Sequence, residues 1–250
     1  MEIRRATLDT CSPVTGTAVV IDVIRAFTTA AFAFAAGAQD ITLVGTVNDA
    51  FALRHRTPGA LIMGKVNGLP VKGLDLGNSP SALIGLDLTG RRLIQRTSAG
   101  TQGVVLSTRA DTILAASFCC AGATARYIVQ FSPPALTFVI TAISPDDEGD
   151  EDVACADHVE ALLLGKRPDA SSFVQRVRQS SAGRLFGDPG YPQFPAPDWE
   201  CCVDVDRFDF AMPVKRQDGL LVMRAVRPLV SPAVELRANG EFTQKAVLHF

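Results

Sequence analysis

The chain has 250 residues, 47% of them apolar, with 24 Lys plus Arg against 26 Asp plus Glu and a net charge of −2. That length suffices for one large domain or two small lobes with a real core, and the balanced charge, without any basic run, argues against a nucleic-acid partner. No apolar leader follows Met1-Glu2-Ile3-Arg4-Arg5, and the longest low-charge stretch, Ala26 to Ala38, is too short to span a bilayer, so a cytoplasmic protein with no membrane partner is expected.

The first predicted strand, Ala18–Asp22, ends in a carboxylate and is followed by Arg25, Thr28, Thr29 and an Ala-rich helix over Phe27–Ala36. In an α/β fold ligands sit at the carboxyl ends of strands beside helix N-termini. An acid and a guanidinium there suit an anionic substrate and its metal. The competing reading is that Asp22 caps the helix and Arg25 pairs with it. Strands at Ile41–Val44 and Ala60–Met63 then enclose a helix at Val47–His55.

Residues 64–81 are rich in Gly, Asn and Pro without periodicity. A loop this long is functional or disordered, and its interspersed Leu and Val speak against disorder. Gly77-Asn78-Ser79-Pro80 reads as a helix entry, with Ser79 as N-cap and Pro80 in the first turn. The strand Leu93–Gln95 leads into Arg96-Thr97-Ser98-Ala99-Gly100-Thr101, whose hydroxyls, glycine and arginine suit phosphate without forming a P-loop.

Beyond the strand Thr112–Ala116, Cys120 and Arg126 match the Cys-x5-Arg spacing of a cysteine phosphatase, but about half such a match is expected by chance. A helix at Gly122–Val129 and a strand at Leu136–Thr141 follow. Next come six acids within Asp146–Asp152, where Glu151 and Asp152 open a helix running to Leu164. Hard oxygen ligands suit Mg²⁺, although acids also favour helix N-termini and solvated loops. Four prolines make 187–200 a surface loop, and Phe210 to Val226 forms a hairpin around Gln217-Asp218-Gly219. Cys11, Cys119, Cys120, Cys155, Cys201 and Cys202 form no C-x-x-C pair, and His55, His158 and His249 show no ligand spacing, so neither a disulfide framework nor zinc is expected. The alternation implies βαβ units: an α/β chain with a mainly parallel sheet flanked by helices.

Taken together, five turns resemble the 2-phosphosulfolactate phosphatases, the ComB family. They are Asp22 to Thr29, Gly64 to Pro70, Gly73 to Pro80, Thr97 to Thr101, and Ala116-Ser117-Phe118, with Glu151-Asp152 resembling the family's later helix start. The resemblance covers residues 10–165, fades over 166–200 and returns in part at Asp206–Val226. It departs at Ala99, where the family often has Asn, and at Asn67-Gly68, where it often has Gly-Gly.

The resemblance implies a three-layer architecture in a single domain over 1–250, with lobes near 1–110 and 111–250 as the alternative division. It also implies Mg²⁺-dependent hydrolysis of 2-phosphosulfolactate to sulfolactate and phosphate, a step of coenzyme M biosynthesis. Asp22 and Asp75 are expected to hold Mg²⁺ or orient the attacking water, with Glu151 and Asp152 as further ligands. Arg25 and Arg96 are expected to bind the phosphate and a second acidic group, with Thr28, Asn78, Ser79, Thr97, Ser98, Gly100 and Thr101. Metal-activated water is expected over Cys120 as nucleophile. A homodimer is compatible with this reading. The alternative function is a non-catalytic anion-binding or regulatory protein on the same fold.

Overall fold

The structure, a computed structural model, describes residues 1–66, 69, 71–142 and 148–229. Asn67, Gly68, Pro70 and the acidic residues Asp146 and Asp147 therefore lie outside the described residues.

The β-strands are β1 (Glu2–Thr7), β2 (Gly16–Ile21), β3 (Asp40–Leu43), β4 (Leu61–Gly64), β5 (Arg92–Arg96), β6 (Ala110–Ala116), β7 (Ala135–Ile140), β8 (Met212–Gln217) and β9 (Leu220–Met223). The α-helices are α1 (Ala26–Ala35), α2 (Val47–Arg56), α3 (Gly100–Leu106), α4 (Ala121–Phe131), α5 (Asp150–Leu163), α6 (Ala170–Gln179) and α7 (Ala196–Val203). The nine strands among the described residues join one sheet in the order β1-β7-β2-β6-β8-β9-β3-β5-β4.

Two parallel sets make up most of this sheet. β1, β7, β2 and β6 form one, and β3, β5 and β4 form the other. The β8–β9 hairpin lies between them and pairs antiparallel with β6 on one side and β3 on the other. The two sets consequently run in opposite senses. The hairpin turns through Asp218 and Gly219, both at positive φ (50° and 77°), as a tight two-residue connection requires.

Inside the first set, β2, β6 and β7 are mostly apolar because both faces are covered. Ala18 and Val20 of β2 pack with α1, while Val19 and Ile21 pack with α4, α5 and α7. This alternation defines three layers: helices, sheet, helices. Helix α2 packs a smaller core, including Val44, Leu53, Ile62 and Ile94, over the second set.

Five elements depart from the sequence reading. β1 is a charged edge strand without clear alternation, stabilised by its pairing with β7. Helix α3 occupies a glycine-containing stretch: a Cβ on Gly103 would lie 2.6 Å from Val20 Cγ1, so glycine allows the helix to close on β2. Helix α6 begins at Asp169, which accepts a hydrogen bond from Ser171 N at 3.0 Å. Helix α7 starts inside the proline-rich segment expected to be all loop, with a proline in its first turn. The helix expected to enter at Ser79-Pro80 is only a short 3-10 turn, Ser81–Leu83.

Candidate active site

Asp22 follows β2 and is 5% exposed. Its Oδ1 accepts the Ala26 amide at 2.8 Å, and its Oδ2 accepts the Gly100 amide at 2.7 Å. The first contact caps α1, as the local sequence allowed. The second joins the carboxyl end of β2 to that of β5. Five strand-to-strand steps separate β2 from β5, and at ~20–25° of twist per step they accumulate on the order of 100°, which lets ends of oppositely directed sets meet. Gly100 is required at this crossing, since a Cβ there would lie 2.7 Å from Asp22 Oδ2 and 2.8 Å from the Ala26 Cβ.

Burial pushes the Asp22 carboxyl above its usual range, opposed by the two amides and by the charges of Lys65 and Arg25. Asp152, also buried, is pushed well up by burial and then by the charges of Asp22 and Glu151. Its oxygens accept Val23 N at 2.8 Å, Ala142 N at 3.0 Å, and Thr141 N and Oγ1 at 3.2 Å each. Three of these donors meet Oδ2 and one meets Oδ1, and together they tie α5 to the ends of β2 and β7. Glu151 is buried beside it. Asp22, Glu151 and Asp152 thus form one acidic cluster.

Arg25 is 3% exposed, and its guanidinium donates to Asp198 and, at 2.7 Å, to the Gln193 carbonyl. The Phe194 ring lies 4.8 Å away. Asp198, fully buried, also accepts Ser79 Oγ at 2.7 Å and both the amide and hydroxyl of Ser81. One carboxylate therefore holds the arginine after β2 and the turn after Asn78. Arg25 Nε and both amide atoms of Asn78 are buried without a hydrogen-bond partner among the described residues. Such buried polar atoms are costly unless a ligand completes them.

The other expected residues are placed as follows. Thr28 donates to the Val23 carbonyl at 2.7 Å and shares a 2.6 Å hydrogen bond with Ser117, buried beneath the site. Thr97 and Thr101 bond each other, Thr97 N to Thr101 Oγ1 at 2.8 Å and Thr101 N to Thr97 Oγ1 at 3.1 Å, and so rigidify the turn before α3. Arg96 faces the carbonyls of Gly45 and Lys65 at 3.4 and 3.3 Å, with Ser98 Oγ at 3.5 Å.

Asp75 does not join Asp22. Its Oδ2 accepts Ile62 N at 2.8 Å and pairs with Arg54 at 3.3 Å, with its side chain 36% exposed, so it fastens the long loop to β4 and α2. The cysteine-phosphatase loop is also not formed. Cys120 is buried and Arg126 exposed, and the Gly122 amide, which would face an anion, donates to Asp206 at 2.5 Å. Among the described residues no three His, Cys, Asp or Glu side chains gather as a metal cage, and all six cysteines are free and buried. No helix among them is long and apolar enough to cross a membrane.

Sequence reasoning missed Lys65, Phe194 and Asp198. Lys65 stood in the flagged loop but was overshadowed by its glycines. For Asp198 the available signal was Pro195-Ala196-Pro197 before an acid and Trp199, a helix start inside an apparent linker.

An α/β sheet that brings a buried carboxylate, Asp22, and a buried guanidinium, Arg25, to converging strand ends suits an anionic ligand. The sequence model of one family of phosphoric monoester hydrolases, described as 2-phosphosulpholactate phosphatase, matches residues 5–186, and the chain belongs to that family. A relative from Bacillus subtilis named "Probable 2-phosphosulfolactate phosphatase" is 35% identical over 202 residues, covering 80% of this chain and 87% of its own. One of the same name from Carboxydothermus hydrogenoformans is 38% identical over 224 residues, covering 84% and 90%. A third, from Deinococcus radiodurans, is 31% identical over 178 residues, covering 69% and 72%.

Proposed function

We propose that the protein hydrolyses a small 2-phospho acid, with 2-phosphosulfolactate as the leading substrate and Mg²⁺ as cofactor. On the sulfonated substrate the step belongs to coenzyme M biosynthesis. A cytoplasmic location goes with six free thiols. The observation that carries the reading is the opposition of buried Asp22 to the unpartnered donors of Arg25 and Asn78.

The acidic cluster fits Mg²⁺, an ion commonly held by one or two carboxylates together with water and substrate phosphate. Each Asp22 oxygen accepts one amide, which leaves each a further lone pair. The Asp152 carboxyl is raised first by burial and then by the charges of Asp22 and Glu151, and a cation would relieve the second of these. Asp22 and Glu151 would hold the ion, with Asp152 bracing them. Bound there, Mg²⁺ would neutralise phosphoryl charge and lower the pKa of a water molecule.

The chain's own groups supply position and proton transfer. Arg25 Nε and the Asn78 amide donate to the phosphoryl oxygens, and Asp198 keeps Arg25 aimed. Asp22 orients the attacking water and accepts its proton, a role suited to a carboxylate of raised pKa. Attack at phosphorus then breaks the ester P–O bond, and the leaving alkoxide takes up a proton, that held by Asp22 or one from solvent, so that the hydroxy acid and phosphate are released.

The test is phosphate release from 2-phosphosulfolactate and 2-phospholactate with Mg²⁺ and with EDTA. Turnover that EDTA abolishes and Mg²⁺ restores is expected. Tight binding of these compounds without turnover would favour the anion-binding alternative.

A further inference from the structure

Lys65 follows β4 and is half-buried at the same site. Its ammonium lies 5.5 Å from the centroid of the Phe194 ring, the ring that also carries Arg25 at 4.8 Å. The two cations differ in one respect. Arg25 is paired with Asp198, whereas no ion pair is described for Lys65, although Asp22 and Asp198 lie within electrostatic reach. Burial first, and then the Arg25 charge, push the Lys65 ammonium below its ordinary range. Leaving such a cation unmatched is costly, and an anion placed between the two removes the cost. A phosphoryl group on Arg25 and Asn78 leaves Lys65 as a second positive pole beside it.

We infer that Lys65 binds the substrate's second acidic group, the carboxylate on the ester carbon or the sulfonate one carbon further out, and so selects 2-phospho acids over simple phosphate monoesters. The inference rests on the phosphatase reading and names which residue sets its substrate class. Phe194 is the positioning residue: its ring packs with both cations and fixes their separation. It comes from the proline-rich segment, beyond the residues that the family model matches. A lysine suits this task because its compact ammonium serves either acid, whereas the fork of Arg25 suits the phosphoryl oxygens.

The experiment compares wild type, Lys65→Met and Lys65→Arg on 2-phospholactate, 2-phosphosulfolactate and ethyl phosphate, which is 2-phospholactate without its carboxylate. The expected result is a wild-type preference for both phospho acids that falls by about tenfold or more in Lys65→Met, mainly through KM, and is partly restored in Lys65→Arg. Calorimetric Kd values for inorganic phosphate and sulfolactate are read on the same proteins, with sulfolactate expected to lose more. An equal loss on all three esters, or equal weakening of phosphate and sulfolactate, would overturn the assignment and leave Lys65 as a counter-charge to Asp22. Failure of the phosphatase reading looks different: no ester is turned over by wild type, and the calorimetric comparison alone then decides the role of Lys65.

Discussion

Asp198 shows how one buried carboxylate organises residues far apart in the chain. It holds Arg25, 173 positions away, together with Ser79 and Ser81. Removing one partner of a buried ion pair leaves an uncompensated charge and typically costs about 3–5 kcal/mol. Asp198→Ala is accordingly expected to lower the unfolding free energy by about that amount and to weaken phosphate binding, measured by urea denaturation and calorimetry. Unchanged stability and affinity would mean that Asp198 does not hold the arginine. Lys65 contrasts with it: among the described residues it makes no ion pair, although Asp22 and Asp198 act on it electrostatically.

At the level of elements, the site depends on α3 closing against β2. Gly103 and Gly100 permit that approach, because a Cβ at either would sit under 3 Å from β2 or Asp22 atoms. Gly100→Ala is expected to cost roughly 1–3 kcal/mol through overpacking and to reduce kcat/KM by tenfold or more as Asp22 is displaced. Thermal unfolding and phosphate release check both, and wild-type values for both would contradict the close approach. The same glycines explain why α3 was not legible in the sequence: they weaken local helix propensity while serving a tertiary contact. The strand ending at Asp22 was legible, since an apolar run, an acid and an Ala-rich helix are all local signals. The expected helices over 27–36, 47–55, 122–129 and 151–164 fall within two residues of α1, α2, α4 and α5. Asp75 was misplaced because a turn motif fixes neighbours in sequence but not the direction of a side chain. Asp198 and Phe194 were missed because their partners lie in other segments and their own segment reads as linker.

For the whole molecule, the arrangement answers a topological problem. Two parallel sets present functional residues at their carboxyl ends, yet here they run in opposite senses, joined by the β8–β9 hairpin. The Gly100–Asp22 contact shows that those ends nevertheless meet, and α7 adds a third side through Asp198. The acids lie at the ends of β2 and β7, and the cations follow β2 and β4. If Asp22 takes the proton of the attacking water, the decisive measurement is kcat/KM for 2-phospholactate with Mg²⁺ in Asp22→Asn. Asparagine keeps the size of the side chain but removes its charge and basicity. A loss of about a hundredfold or more is expected in a folded protein; a rate within about threefold of wild type would take that role away from Asp22.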